Sequence, residues 1–412
     1  MKIIKDSVHD HIQIEGVARD LLDTPAVQRL RRIRQLGTVS LVYPSANHTR
    51  FEHSLGVYHL ACEALDRLGI EGIRADRIHA AALLHDVGHG PFSHNLEALT
   101  HRRTGRYHDD VHELLADGHV GAVLRDHGLE PTAVADLVAG DGRFGQLVSG
   151  ELDVDRMDYL VRDAHHTGVP YGTIDTGRLV QELTFVDDEL VLAEGNVQTA
   201  ESLLVARALM NPTVYSHSVA RISKAMLRRG AERLLDAPAA DIDIDAAQLQ
   251  RMDDHDLVAA LRSCPDTEQF SRRLDERDLF KRAVWAEMDD VPGGIIDADH
   301  EMIREFEREI VANAGVDPGT VILDVPSRPS MTESTTRVMV NGEIRSLEQQ
   351  SPLVTALRAG QYSQWRLGVY SPAAARDRVG RAAVDVLGLD IDGALVREVR
   401  DGLDTTLDQF VE

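Results

Sequence analysis

The chain has 412 residues, 43% of them hydrophobic, and carries 68 acidic against 44 basic side chains for a net charge of -24. That length supports a large core and two subdomains, while the acidity argues against nucleic acid as a partner, because phosphate backbones need a basic footprint. No apolar run approaches the roughly 20 residues of a membrane span, and the start, Met1-Lys-Ile-Ile-Lys-Asp, lacks the apolar stretch of a signal peptide, so we expect no membrane association.

In chain order, residues 17–34 show helical apolar spacing, with Asp23-Thr-Pro as a helix start. Helices are also expected over 50–68, 77–85, 155–164, 196–235 and 257–287. Residues 183–193 alternate around Asp187-Asp188 and predict a small hairpin, and 237–245 is an acidic, alanine-rich connector. From about 290 the character changes. Residues 321–325 and 365–370 read as strands, 337–344 holds the Asn-Gly signal of a tight hairpin, and 372–387 reads as a closing helix. The expected fold is mainly α: a helical region over 1–289 and a smaller α+β region over 290–412, serving as an assembly surface or lid.

Lysine occurs only at positions 2, 5, 224 and 281, so nearly all positive charge is arginine. An acidic, lysine-poor chain suits a salt-rich cytosol, where a screening length of about 3 Å at about 1 M salt lets local arginines hold an anionic substrate. Two distant thiols, Cys62 and Cys264, suggest a reducing cytoplasm over a disulfide framework.

The chemistry concentrates in Leu84-His-Asp-Val-Gly-His-Gly-Pro-Phe-Ser-His94. An apolar run delivers His85 and Asp86 at one point, then Gly88, Gly90 and Pro91 break the helix beside His89 and His94. Adding His53 and an aspartate from Leu152-Asp-Val-Asp-Arg-Met-Asp-Tyr159 gives two imidazoles and two carboxylates. Such a set suits one divalent ion among Mn, Fe, Co, Ni, Zn and Mg. Spacing alone does not choose among Asp153, Asp155 and Asp158. Asp155, Tyr159 and Asp163 share one helix face, with Arg156 and Arg162 beside it, which would make a platform for a sugar and phosphates.

Four segments in order, Asp23-Thr-Pro-Ala-Val-Gln-Arg-Leu-Arg-Arg-Ile-Arg-Gln-Leu-Gly37, His48-Thr-Arg-Phe-Glu-His-Ser-Leu-Gly-Val57, the 84–94 run and Asp153-Val-Asp-Arg-Met-Asp-Tyr159, resemble the HD superfamily of metal-dependent phosphohydrolases, and within it the deoxynucleoside triphosphate triphosphohydrolase branch. The resemblance spans roughly residues 2 to 285. It implies an all-helical HD core, metal ligands His53, His85, Asp86 and Asp155, and release of intact triphosphate from a dNTP. It further implies His94 as general acid oriented by Glu97, assistance from His112 and Glu113, and His89 on phosphate or beside the metal. Gln35, Leu36, Arg50, Arg156, Tyr159, Asp163, Arg207 and Tyr215 would contact substrate. Asp23, Gln28 and Arg31 match positions that read guanine at a regulatory nucleotide site in some relatives, with Lys2 and Ile3 nearby, and relatives form dimers and tetramers. Arg156 stands where the family often has lysine, and Ser216 and Ser218 where relatives carry larger polar residues. The competing readings are another HD phosphohydrolase, acting as a nucleotidase or phosphodiesterase, and a non-catalytic nucleotide or nucleic-acid binding module.

Overall fold

The apolar run of 50–68 becomes helix α1 (Arg50–Leu68), which is buried along most of its length. Its start is fixed by a reciprocal cap: the Thr49 N–H donates to Glu52 at 2.7 Å. Its end is Gly69, at φ 64. In this computed structural model, which describes residues 1–237, 244–391 and 395–396, α1 packs against α2 (Ile73–Leu84) and α4 (Val154–Thr167). Between them in sequence runs α3 (His94–Thr104). Ala80, Ala81 and Ala82 let α2 approach its neighbours closely, while Leu83 and Leu84 are fully buried. Each such leucine contributes about 1.5–3 kcal/mol, and this fixes the helix end that carries His85.

Two compact units are present. The first comprises Met1–Asp278 with Ser330–Ala359, the second Leu279–Pro329 with the described residues from Gly360 on. The contiguous division expected at 289/290 therefore differs from the observed one in two ways. The break follows Asp278, and residues 330–359 return to the first unit.

The first unit is mainly helical. It adds α5 (Val197–Met210), α6 (Ser218–Asp236) and α7 (Asp254–Ser263) to the helices above. A hairpin of β1 (Lys2–Asp6) and β2 (Asp10–Ile14), which periodicity did not announce, opens the chain. The expected 17–34 helix is two short helices, Gly16–Leu22 and Pro25–Arg29, followed by a 3-10 turn, because Pro25 restarts the helix. The expected 196–235 helix is interrupted at Asn211–Tyr215, a π-turn containing Pro212. The 237–245 connector lies mostly outside the described residues.

The expected hairpin is β3 (Leu183–Val186) with β4 (Glu189–Leu192). In the second unit β5 (Lys281–Glu287) and β6 (Ile322–Asp324) flank a later strand. The Asn-Gly hairpin is β7 (Arg337–Val340) with β8 (Glu343–Ser346), and β4 pairs β7 in parallel at Leu192 and Val338. That pairing brings 330–359 back to the first unit. In the second unit β9 (Arg366–Ser371) is central between β5 and β6, all antiparallel. Helices α8 (His300–Ala314) and α9 (Arg376–Leu387) pack with this sheet over Val284, Leu323, Leu367 and Val369. The expected 257–287 helix thus fails in its last part: Ala283-Val-Trp-Ala286 is buried as a strand against β9, and tertiary pairing overrides local helix preference.

Candidate active site

His53, near the start of α1, is fully buried. Its Nδ1 lies 2.8 Å from Asp158 Oδ2, and its Nε2 lies 2.8 Å from Asp155 Oδ1. His85, at the end of α2, donates from Nδ1 to the Ala82 carbonyl at 2.8 Å, which leaves Nε2 as a lone-pair nitrogen. That atom faces His53 Nε2 at 3.2 Å, with Asp86 Oδ1 at 3.5 Å and Asp155 Oδ1 at 3.8 Å. The two imidazole nitrogens, turned toward each other, and the Asp86 carboxylate are buried and close enough together to hold one divalent ion, and the half-buried Asp155 carboxylate reaches the same imidazole pair. Burial by itself lowers His53, but Asp155 and Asp158, with Asp86 behind them, outweigh it and raise the imidazole to about 10. The pocket favours positive charge.

The three aspartates of the 152–159 motif divide their roles by helix position. Asp153 caps α4, accepting from the backbone of Arg156 at 2.7 Å and Gly150 at 2.8 Å. Asp155, in the first turn, reaches the imidazole pair. Asp158 sits behind His53, where it also takes His9 Nε2 at 2.6 Å and the buried Arg162 guanidinium at 2.9 and 3.0 Å. Arg162 continues to Asp6 at 2.9 Å. This Asp6–Arg162–Asp158–His9 network fixes the tautomer and direction of His53. Glycine is obligatory beside it, since a Cβ on Gly56 would lie 1.9 Å from Asp158 Oδ1.

On the other side, Arg50 donates from Nη1 to both oxygens of Asp86 at 2.9 and 2.8 Å and from Nε to Ser93 Oγ at 2.9 Å. Burial raises Asp86, but Arg50 and the nearby histidines outweigh it and hold the carboxylate well below its usual range. His89 Nε2 lies 3.3 Å from Asp86 Oδ1 outside hydrogen-bond geometry. The His89 ring stacks on His108, 3.9 Å between centroids. His94 Nδ1 lies 2.7 Å from Glu97 Oε2, and His108 Nδ1 hydrogen-bonds the other oxygen of Glu97. Burial raises Glu97, but the two histidines outweigh it and hold the acid far below its usual range. Close packing lowers His94 despite Glu97, although half of its side-chain surface faces open space. A crowded ring with one open edge fits a cleft wall.

His112 and Glu113 are not brought to this site. The His112 ring turns to Asp136 at 2.9 Å, and Glu113 pairs with Arg106 at the surface at 2.7 and 2.8 Å. His108, four residues earlier, is the imidazole beside His89 and Glu97. The reason is backbone proximity: a Cβ on Gly88 would meet the His108 carbonyl at 2.0 Å, so this glycine lets the 105–111 loop close over the His-Asp turn. Tyr107-His-Asp109 carries no motif that distinguishes it from Val111-His-Glu113, and sequence reading missed it.

Of the remaining expected contacts, Tyr159, Asp163 and Tyr215 come together. Tyr215 donates its hydroxyl to Asp163 Oδ2 at 2.9 Å, and His48 Nε2 lies 2.7 Å from Asp163 Oδ1. Tyr159 stands edge-on to Tyr215 at 6.4 Å, and burial raises both phenols while the Arg207 charge opposes it. Arg156 donates to the carbonyls of Gly150 and Glu151 at 3.0 and 2.6 Å. Gln35 keeps a buried carbonyl oxygen with no hydrogen-bond partner among the described residues, and Leu36 beside it is half-buried. The expected regulatory residues pair with one another: Lys2 with Asp23, and Arg31 with Gln28 at 2.9 Å while lying 3.5 Å over the Phe51 ring. Ile3 is exposed.

Residues 50–163 match the HD domain, and residues 174–398 match the HD associated region. MJ1154 of Methanocaldococcus jannaschii is 31% identical over 380 residues, 90% of this chain and 79% of that protein. The deoxynucleoside triphosphate triphosphohydrolase SAMHD1 homolog of Dictyostelium discoideum is 32% identical over 251 residues, but this chain spans only 48% of its length. A phosphohydrolase structure from Bacteroides thetaiotaomicron superposes with a TM-score of 0.72 at 28% identity, covering 90% of this chain and all of that one. No described helix is long and apolar enough to cross a membrane. With its paired imidazoles and carboxylates at the matched positions, the chain belongs to the HD superfamily of metal-dependent phosphohydrolases.

Proposed function

We propose that the protein hydrolyses deoxynucleoside triphosphates to a deoxynucleoside and inorganic triphosphate. The observation that carries this reading is the His94–Glu97 pair, 2.7 Å apart, next to His89 and thus to Asp86 of the metal-binding set. His53, His85, Asp86 and Asp155 would hold the ion, which when bound lowers the pKa of water and polarises a phosphoryl oxygen. His94 then protonates the departing 5′-oxygen, Glu97 fixes its ring, and Arg50 and Arg207 hold phosphates. Tyr159, Tyr215 and Asp163 wall the sugar, and Gln35 offers its unpartnered oxygen to it. Similarity to triphosphohydrolases over about half of their length supports the substrate class.

The test is incubation with each dNTP across several divalent ions, with products separated by chromatography. Intact triphosphate supports the reading, whereas pyrophosphate or single phosphate release assigns the site to another HD phosphohydrolase. Repeating the assay from dilute buffer to molar KCl tests salt adaptation, and adding GTP or dGTP tests a regulatory nucleotide at Lys2, Ile3, Asp23, Gln28 and Arg31.

A further inference from the structure

We propose that Asp254, remote in sequence from every motif above, is a positioning residue that clamps the turn carrying Ser93 and His94. The inference rests on the reading that His94 delivers the proton.

The turn is strained. Phe92 and Ser93 both have positive φ, at 56 and 55, and Ser93 has ψ -134, backbone territory ordinarily left to glycine. Two such residues in succession persist only where their surroundings impose the conformation. Asp254 supplies that constraint. It is 5% exposed, and its Oδ1 accepts the Phe92 N–H at 2.6 Å while its Oδ2 accepts the Arg34 N–H at 3.1 Å. The Phe92 N–H has no backbone partner among the described residues. Helix capping is not the role of Asp254, because Asp253 caps α7 by accepting from His255 and Asp256.

The clamp closes a loop of contacts. Ser93 Oγ donates to the Arg34 carbonyl at 2.6 Å and accepts from Arg50 Nε, and Arg50 holds Asp86. His94 follows directly as the first residue of α3. Asp254 therefore fixes both the segment bearing Gln35 and the turn bearing the acid, without touching substrate.

The test uses the full chain loaded with Mn²⁺. Asp254→Asn keeps the shape but places an amide nitrogen against one of the two N–H groups. We expect kcat for dNTP hydrolysis to fall about 10- to 100-fold, the scale of a lost hydrogen bond to a charged group. KM should stay within about 2-fold, and bound Mn²⁺ per chain should be unchanged. Asp254→Glu, which keeps the carboxylate, should recover part of kcat. In a His94→Ala background Asp254→Asn should cost little further, because it acts through a residue already removed. In the wild type the Phe92 amide should exchange slowly with solvent, a readout that needs no variant. Unchanged kcat in Asp254→Asn, losses that multiply with His94→Ala, Mn²⁺ lost in parallel, or rapid Phe92 exchange would each overturn the proposal. Full activity in His94→Ala would instead overturn the reading beneath it.

Discussion

Replacing Asp158 by Asn should disable the metal site without touching any expected ligand. The carboxylate is fully buried and accepts from His53 at 2.8 Å, His9 at 2.6 Å and Arg162 at 2.9 and 3.0 Å. An amide of the same shape turns a nitrogen donor toward at least one of these donors and removes the charge opposite a buried guanidinium. Breaking a buried ion pair costs about 3–5 kcal/mol. Asp6 still faces Arg162 at 2.9 and 3.2 Å, so the lower end, about 3 kcal/mol, applies. At a urea dependence of about 3 kcal/mol per M the midpoint falls by about 1 M. His53 also loses the anchor of its Nδ1, which should weaken metal binding about 10- to 100-fold. Far-UV circular dichroism in urea reads the first effect and Mn²⁺ competition with a chelator reads the second. A variant that unfolds at the wild-type midpoint and binds Mn²⁺ as tightly would refute the role given to this network.

His85→Ala and Asp86→Ala should each abolish bound metal and hydrolysis together, as elemental analysis beside the product assay would show. Gly56→Ala should mimic the Asp158 variant, because the added methyl would sit 1.9 Å from Asp158 Oδ1 and 2.5 Å from Arg162 Nη2; wild-type chelator resistance would count against this. Burial pushes Asp254 up to about 6, above its ordinary 3.8. The folded state therefore holds this proton more tightly than the unfolded state, so the contribution is fully favourable below about pH 4 and is lost as pH rises through about 6. Urea midpoints followed from pH 4 to 8 should thus fall less steeply in Asp254→Asn than in the wild type, and identical slopes would contradict it.

Much of the site was legible because its chemistry is local in sequence. An apolar run ending in His85-Asp86 and broken by glycines needs no tertiary information to suggest a metal, and the 155–163 spacing alone places Asp155, Tyr159 and Asp163 on one face. What stayed hidden depends on partners from elsewhere. Asp153, Asp155 and Asp158 are equivalent on paper, and only the N-terminus of α4, His53 and Arg162 separate them. His108 outcompetes His112 because of backbone proximity at Gly88, which no spacing rule encodes. The 281–287 strand and the return of 330–359 to the first unit follow from pairing with β9 and β4, contacts made across long sequence separations. Asp254 was invisible for the same reason.

The most direct measurement is anomalous scattering from crystals soaked in Mn²⁺. The account predicts one strong peak about 2.0–2.3 Å from His53 Nε2, His85 Nε2, Asp86 and Asp155. A peak held instead by His89, His94, Glu97 and His108, with none between His53 and His85, would contradict it.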